Sequence, residues 1–316
     1  MTAPEGTRPP ATGKDVAAEE ISTRAGFVTL VGRPNAGKST LLNALVGEHL
    51  AAVSRKVQTT RHRIPGFWTR DEAQIVFVDT PGLLDPTYAL QEAMIDTAHQ
   101  AVEGVDAVYF LVDHDAPSAR ESALLHQLEG AGVPLFLLLT KMDQVPPPRL
   151  ETRERGWAAL TNWFGRHRIS ARTGEGIEPL LQVTVALLPE QPFFYPADQL
   201  TDLNVRFLAA ELVREACYEE LGAELPYSVH VEVTEWKEPD GEGNSTNIHA
   251  VIHVERESQK GIVIGEGGRC VKAIGIRARP LIEALLNSPV YLSLRVKVRR
   301  KWSRRPPDLK FFGYRR

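Results

Sequence analysis

The stretch Gly32-Arg33-Pro34-Asn35-Ala36-Gly37-Lys38-Ser39 fits G-x-x-x-x-G-K-[ST], the spacing of a loop that wraps phosphates. Lys38 can set a point charge on the β- and γ-phosphates, and the Ser39 hydroxyl can bind Mg2+. Phosphate binding is expected from Gly32 through Thr40. A strand must deliver such a loop and a helix N-terminus must receive it, because free N–H groups and the helix dipole have to point at one place. The apolar run 26–31 predicts a buried parallel strand, and residues 40–46 predict a helix ending at Gly47.

Three further clusters could complete a nucleotide site. Asp79-Thr80-Pro81-Gly82 closes the apolar run 74–78; Asp79 can hold Mg2+ through water while the Gly82 N–H approaches a γ-phosphate. Thr140-Lys141-Met142-Asp143 closes the run 135–139. A carboxylate at Asp143 can accept from guanine N1–H and its 2-amino group, donors that adenine lacks. The Lys141 stem can cover one face of the base, and Ser170-Ala171 can offer a backbone N–H to guanine O6. The polar stretch 54–63 carries two hydroxyls; we favour Thr60 over Thr59 as the one that closes on Mg2+ when a γ-phosphate is present. The expected Mg2+ set is Ser39, Thr60 and Asp79, and the residues expected to act on the reacting phosphate are Lys38, Thr60 and Gly82.

Elements able to position these groups alternate along the chain. Strand-like runs at 74–78, 107–112, 135–139 and 168–170 are separated by helix-like stretches at 90–102, 118–129, 150–164 and 177–187. Such alternation predicts an α/β fold, a mostly parallel sheet with helices on both faces and ligands at the strands' C-terminal ends. Residues 189–196 are rich in Pro and aromatics and predict a short, stiff linker. Beyond it come a helix at 204–221, with Phe207, Leu208, Leu212 and Val213 on an inner face, then two strands about a turn at 239–247. A second glycine loop, Gly265-Glu266-Gly267-Gly268, precedes a helix from Arg269. Small residues there let nucleic-acid phosphates reach bare N–H groups, and Lys260, Arg269 and Lys272 add charge. A last strand, Val290–Val298, leads into the basic run 299–305.

Net charge is −3, unevenly placed. Residues 258–316 hold fifteen Lys/Arg against Glu266, Glu283 and Asp308, a surplus of 12 that leaves −15 on the rest of the chain. That segregation points to a polyanion partner. Cys217 and Cys270 give neither a disulfide framework nor metal spacing, the nine histidines show no metal spacing, and no run reaches bilayer length; a cytosolic chain is expected. Residues 1–23 read as a disordered tail. Asp113-His114-Asp115 reads as an exposed loop and Trp302 as a packing residue rather than a base-stacking one.

These motifs in this order resemble the translation-factor-related GTPases, and Gly-Arg-Pro-Asn-Ala-Gly-Lys-Ser, Gln-Thr-Thr-Arg-His-Arg, Asp-Thr-Pro-Gly and Lys-x-Asp resemble most closely the bacterial Era family. The α-β-β-α-α-β order about Gly265–Gly268 resembles a type II KH domain, α+β in class. The resemblance implies a GTPase domain at 24–188, a linker at 189–203 and an RNA-binding KH domain at 204–316. It also implies GTP/GDP and Mg2+ as ligands, slow intrinsic hydrolysis, and Asn35 as a candidate K+ ligand. Its implied partners are the 3′ end of 16S ribosomal RNA and the 30S subunit, with peripheral contact at the inner membrane surface and no obligate protein partner. Rival readings are an RNA-binding adaptor with a structural nucleotide domain and a membrane-surface regulatory GTPase. Two positions depart from signalling GTPases: Thr140 replaces the usual Asn, and Leu83 stands where a water-orienting glutamine would be.

Overall fold

The run that leads into the first glycine loop forms β1 (Arg24–Gly32), and α1 (Lys38–Val46) follows the loop. The computed structural model describes residues 23–314 apart from 55, 57, 84, 223, 224, 240 and 242–244, so the expected N-terminal tail lies outside the described residues save Thr23. Next come β2 (Ile64–Arg70), β3 (Ala73–Asp79), α2 (Ala89–Gln100), β4 (Ala107–Val112), α3 (Ala119–Gly130), β5 (Leu135–Leu139), α4 (Pro147–Ala158), β6 (Gly165–Arg168) and α5 (Ile177–Leu187). The sheet order is β2-β3-β1-β4-β5-β6, with β1 pairing in parallel with both β3 and β4. One face buries Leu30, Leu41, Leu42, Phe77, Tyr109 and Leu181; the other buries Val31, Val108, Phe110, Leu125 and Trp157. Helices thus cover both faces, and the loops after β1, β3 and β5 converge at the strands' C-terminal ends.

The structure differs from expectation at four elements. Strand β2 was not foreseen: it runs antiparallel to β3 from Ile64 opposite Asp79 to Arg70 opposite Ala73, closed by a tight turn with Asp71 at φ 50°. Pro65 and Gly66 argue against a strand in sequence, but an edge position tolerates a missing N–H. Gly66 is required by close approach, since a Cβ there would sit 2.8 Å from Leu42 and Val46. The run expected at 168–170 pairs instead at Gly165–Arg168, and the helix expected at 150–164 is α4, which begins three residues earlier because prolines suit a helix's first turn. A short C-terminal helix described below was also unforeseen.

The second unit comprises α6 (Val205–Glu220), β7 (His230–Lys237), β8 (Thr246–Val254), α7 (Glu257–Ile264), α8 (Arg269–Leu286), β9 (Val290–Val298) and α9 (Pro306–Phe311). β8 pairs antiparallel with β7 and parallel with β9. Val213 and Ala216 of α6 and Ile274, Ala278 and Ile282 of α8 pack with Val231, Ile248 and Ile252 of the sheet. α6 is buried on every side from Leu208 to Tyr218, the pattern of a helix with neighbours all round. Its other neighbour is the first unit. The connecting residues are held against β2 and β3: Tyr195 stacks on Phe67 at 3.9 Å, Gln74 Oε1 accepts from the Phe194 and Tyr195 N–H groups, and Thr201 donates to the Pro65 carbonyl. The chain's end returns as well, burying Trp302, Leu309, Phe312 and Tyr314 against Leu90, Ala93 and Met94 of α2. Trp302 is fully buried and donates to the Ser228 carbonyl, a packing role.

Candidate nucleotide-binding site and glycine clamp

The first glycine loop takes its shape from close approach. A Cβ on Gly32 would lie 2.5 Å from the Leu111 carbonyl, and one on Gly82 would lie 2.6–2.8 Å from Pro34, so the Asp79–Gly82 turn rests directly on the loop. Leu83 N–H donates to the Gly32 carbonyl and its side chain is buried beside Val31 and Val108. Lys38 folds over the loop, donating to the carbonyls of Gly32 (3.1 Å) and Arg33 (2.9 Å). Burial pushes its pKa down to about 8, against the opposing pull of Asp79 and Asp113. A bound polyphosphate would restore its full charge. Arg33 points away, pairing with Glu121 at 2.7 Å.

Ser39, Thr60 and Asp79 meet at the end of Lys38. Ser39 Oγ lies 2.6 Å from Asp79 Oδ2 and 2.7 Å from Thr60 Oγ1, and Thr60 Oγ1 lies 2.9 Å from the same Oδ2. Asp79 Oδ1 is buried without a partner, and burial raises the pKa of the carboxyl. Oxygen donors alone, with an orphaned carboxylate oxygen among them, fit a hard divalent cation such as Mg2+. Thr59, by contrast, donates to the Lys56 carbonyl at 3.0 Å. Thr80 is buried and donates to the Leu30 carbonyl, bracing the turn. Pro34, Asn35, Gly37, Lys38, Ser39, Thr40, Gln58, Thr60, Gly82 and Lys141 line one cleft of about 710 Å³.

At the base end, Thr140 Oγ1 donates toward the Ala36 carbonyl at 2.7 Å, with the Val112 carbonyl at 3.2 Å. A hydroxyl carries one proton, so the bond that braces the loop leaves no side-chain donor for guanine N7. Lys141 pairs with Asp113 at 2.7 Å and has φ 58°. The expected exposed loop is thus engaged: Asp115 also pairs with Arg149 and Arg153. Asp143 Oδ1 accepts from Ser170 Oγ at 2.7 Å, and Oδ2 accepts from Arg172 Nε (3.0 Å) and Nη2 (2.6 Å). These bonds hold the Asp143 pKa down to about 2. Arg172 had no role in the sequence reading; it covers the carboxylate much as two guanine donors would. Its place directly after Ser170-Ala171 was the available signal.

The second glycine loop joins α7 to α8. A Cβ on Gly265 (φ 73°) would lie 2.8 Å from that of Cys270, whereas Gly267 (φ 58°) and Gly268 (φ 80°) face open space. Both are left-handed, a conformation that suits glycine, and their outer side is clear for an approaching backbone. Glu266, Arg269 and Lys272 are exposed and Lys260 is half-buried, so all can reach solvent around the loop.

Sequence reasoning also missed the join between the two sites. Arg61, next to Thr60, is 2% exposed and donates to the carbonyls of Val229 (2.6 Å), Tyr227 (2.9 Å) and Pro226 (3.2 Å) and to Tyr218 Oη (3.1 Å). Arg214 of α6 donates to the Thr59 carbonyl at 2.5 Å while pairing with Glu211. Tyr218 Oη donates to the Gln58 carbonyl, Ser54 donates to Glu219, and Lys56 reaches the carbonyls of Tyr218 and Leu221. Nothing local marks these pairs, since they link residues about 160 positions apart.

Comparison with known proteins agrees with this architecture. Residues 27–141 match a family model described as a 50S ribosome-binding GTPase, and residues 224–303 match a KH-domain model. The chain is 43% identical to GTPase Era of Geotalea uraniireducens (strain Rf4) over 93% of its own length and 99% of that protein's. It is 44% identical to GTPase Era of Rhizobium meliloti (strain 1021) over 96% of each. Two crystal structures are similar at 36% identity, covering 92% of this chain and 99% of theirs. One is a variant of Aquifex aeolicus Era bound to GDP·AlF4− (TM-score 0.87), the other Era in complex with MgGDPNP and nucleotides 1506–1542 of 16S ribosomal RNA (TM-score 0.85). With the phosphate loop, the Asp143 pocket and the glycine clamp set on these two sheets, the chain belongs to the Era family of GTPases, a GTPase domain followed by a KH domain.

Proposed function

We propose that this chain is a GTP-driven switch that grips 16S ribosomal RNA near its 3′ end and assists assembly of the 30S subunit. The observation that carries the reading is the bonding of Gln58 and Thr59 to α6 and of Arg61 to the carbonyls of 226–229, because the segment expected to sense the γ-phosphate also holds the RNA-binding unit. The relative's complex with a 16S fragment, the surplus of 12 positive charges at 258–316 and the open glycines of the clamp support the RNA half. The division into 24–188, 189–203 and 204–316 belongs to the same proposal.

In the mechanism, backbone N–H groups of residues 35–40 and the Lys38 ammonium hold the phosphates. Lys141, Asp143, Ser170 and Ala171 hold guanine once Arg172 swings aside, while Thr140 braces the loop. Arg172 itself is well exposed and free to swing into solvent, and the two guanine donors replace the bonds it gives up at Asp143. Ser39, Thr60 and Asp79 would hold Mg2+, which when bound neutralises charge shared by the β- and γ-phosphates. Asn35, in the same cleft, is the residue we assign to K+. Thr60 already stands beside Ser39 and Asp79 while Arg61 holds the carbonyls of 226–229, an arrangement that Mg2+ and a γ-phosphate would fix; loss of the γ-phosphate releases Thr60 and with it the adjoining Arg61, so the hold on the second unit loosens.

The test measures RNA affinity with GDP and with a non-hydrolysable GTP analogue, alongside GTP turnover with and without a 16S 3′-end RNA. Two nucleotide-dependent RNA affinities, each falling steeply with salt, are expected. Equal affinities in both states, or preference for anionic vesicles over RNA at matched salt, would overturn the proposal. Absence of any turnover would favour the adaptor reading.

A further inference from the structure

Leu83, directly after Gly82, is apolar and buried in the core, so it offers the attacking water no hydrogen bond. We propose that Gln58, from the opposite wall, supplies one: its carboxamide Oε1 accepts a hydrogen bond from the water that attacks the γ-phosphate. The inference rests on the GTPase reading of the cleft and adds a catalytic residue to it.

Gln58 lines the same cleft as Pro34, Lys38, Thr60 and Gly82, two residues before the hydroxyl assigned to Mg2+. Its Oε1 is buried and has no hydrogen-bond partner. A buried acceptor left unpaired is unfavourable, so its retention in a polar cleft calls for a donor that arrives with the substrate. The neighbouring oxygens are already used: Thr59 Oγ1 donates to Lys56, Thr60 Oγ1 contacts Ser39 and Asp79, and Glu219 accepts from Ser54. The backbone of Gln58 is left-handed at φ 62°, an uncommon conformation for a residue with a side chain of this length. Tyr218 Oη pins it there with a 2.9 Å bond to the Gln58 carbonyl, so a residue of α6 fixes where the carboxamide starts. Strain held by a distant anchor is a recurring mark of a functional position.

In the step itself, the water oxygen forms a bond to the γ-phosphorus. The bond from that phosphorus to the bridging oxygen breaks, and GDP keeps the electron pair. The water's proton passes to an oxygen of the released phosphate. Gln58 neither gains nor loses a proton; it aligns the water.

The experiment uses the full chain and two variants, Gln58→Gly and Gln58→Asn, both tolerant of a left-handed backbone and both lacking a carboxamide of full reach. Single-turnover GTP hydrolysis is expected to fall at least tenfold in each. Affinities for GDP and a non-hydrolysable GTP analogue should stay within threefold of wild type. Binding of GDP·AlF4− should weaken in proportion to the lost rate. Hydrolysis within threefold of wild type in either folded variant would overturn the assignment. So would a rate loss matched by equal losses in GDP and analogue affinity, which would mark a structural role. A wild-type chain without turnover would instead overturn the GTPase reading on which the inference rests.

Discussion

Replacing Arg61 by Met should uncouple the two units. The thioether stem fills much of the arginine's volume but donates nothing, so the Val229, Tyr227 and Pro226 carbonyls and Tyr218 Oη lose four donated bonds in a buried interface. Each net bond is worth about 1 kcal/mol, and removal of the buried cation, whose Nε is itself unpartnered, gives some back. A net loss of about 3 kcal/mol follows, charged to docking because the donor sits in one unit and the acceptors in the other. For the larger, first unit it lowers the melting temperature by roughly 6–12 °C. Scanning calorimetry should then resolve two transitions where one is expected of the wild type, and RNA should cease to alter the GTP hydrolysis rate. A single transition at the wild-type temperature, with the RNA response intact, would refute the idea that Arg61 carries the coupling.

Asp143→Asn should cost guanine nucleotides at least ~100-fold in affinity, since two charge-assisted bonds are worth about 1.5–3 kcal/mol each, and should restore binding to xanthosine nucleotides; competition binding with both bases checks it. Gly268→Asp sets a carboxylate on the open face of the clamp, and filter binding should show RNA affinity at least ~10-fold weaker at low salt. His62 stacks on Tyr314 at 4.5 Å between the units, and burial pushes its pKa down to about 4. A depressed folded-state pKa stabilises above the unfolded value near 6.5, so up to about 3 kcal/mol should be lost as pH falls from there toward 4. Urea midpoints across that window should drop less in His62→Phe, which keeps a stacked ring; equal slopes would exclude His62 as the cause.

The parts of the site legible in sequence are those built from contiguous residues. A phosphate cradle needs glycines, a lysine and a hydroxyl at set spacing, because one turn of backbone must do the work. The same holds for Asp79–Gly82, for Asp143 and for the glycine clamp, and the helices and parallel strands that present them follow from hydrophobic period. Strand β2 was hidden because Pro65 and Gly66 break the local pattern, and only pairing with β3 against α1 makes an edge strand of it. The C-terminal helix was hidden by its basic, proline-rich approach, since what orders it is the apolar side of α2 more than 200 residues earlier. Arg172 over Asp143, Tyr218 on Gln58 and Arg61 in the carbonyls of 226–229 are likewise contacts between distant segments. The sequence by itself therefore determined which nucleotide chemistry is present, because that chemistry is local. How the nucleotide loop is tied to the clamp was decided by tertiary structure alone, because buried hydrogen bonds across an interface depend on where two separately coded surfaces meet.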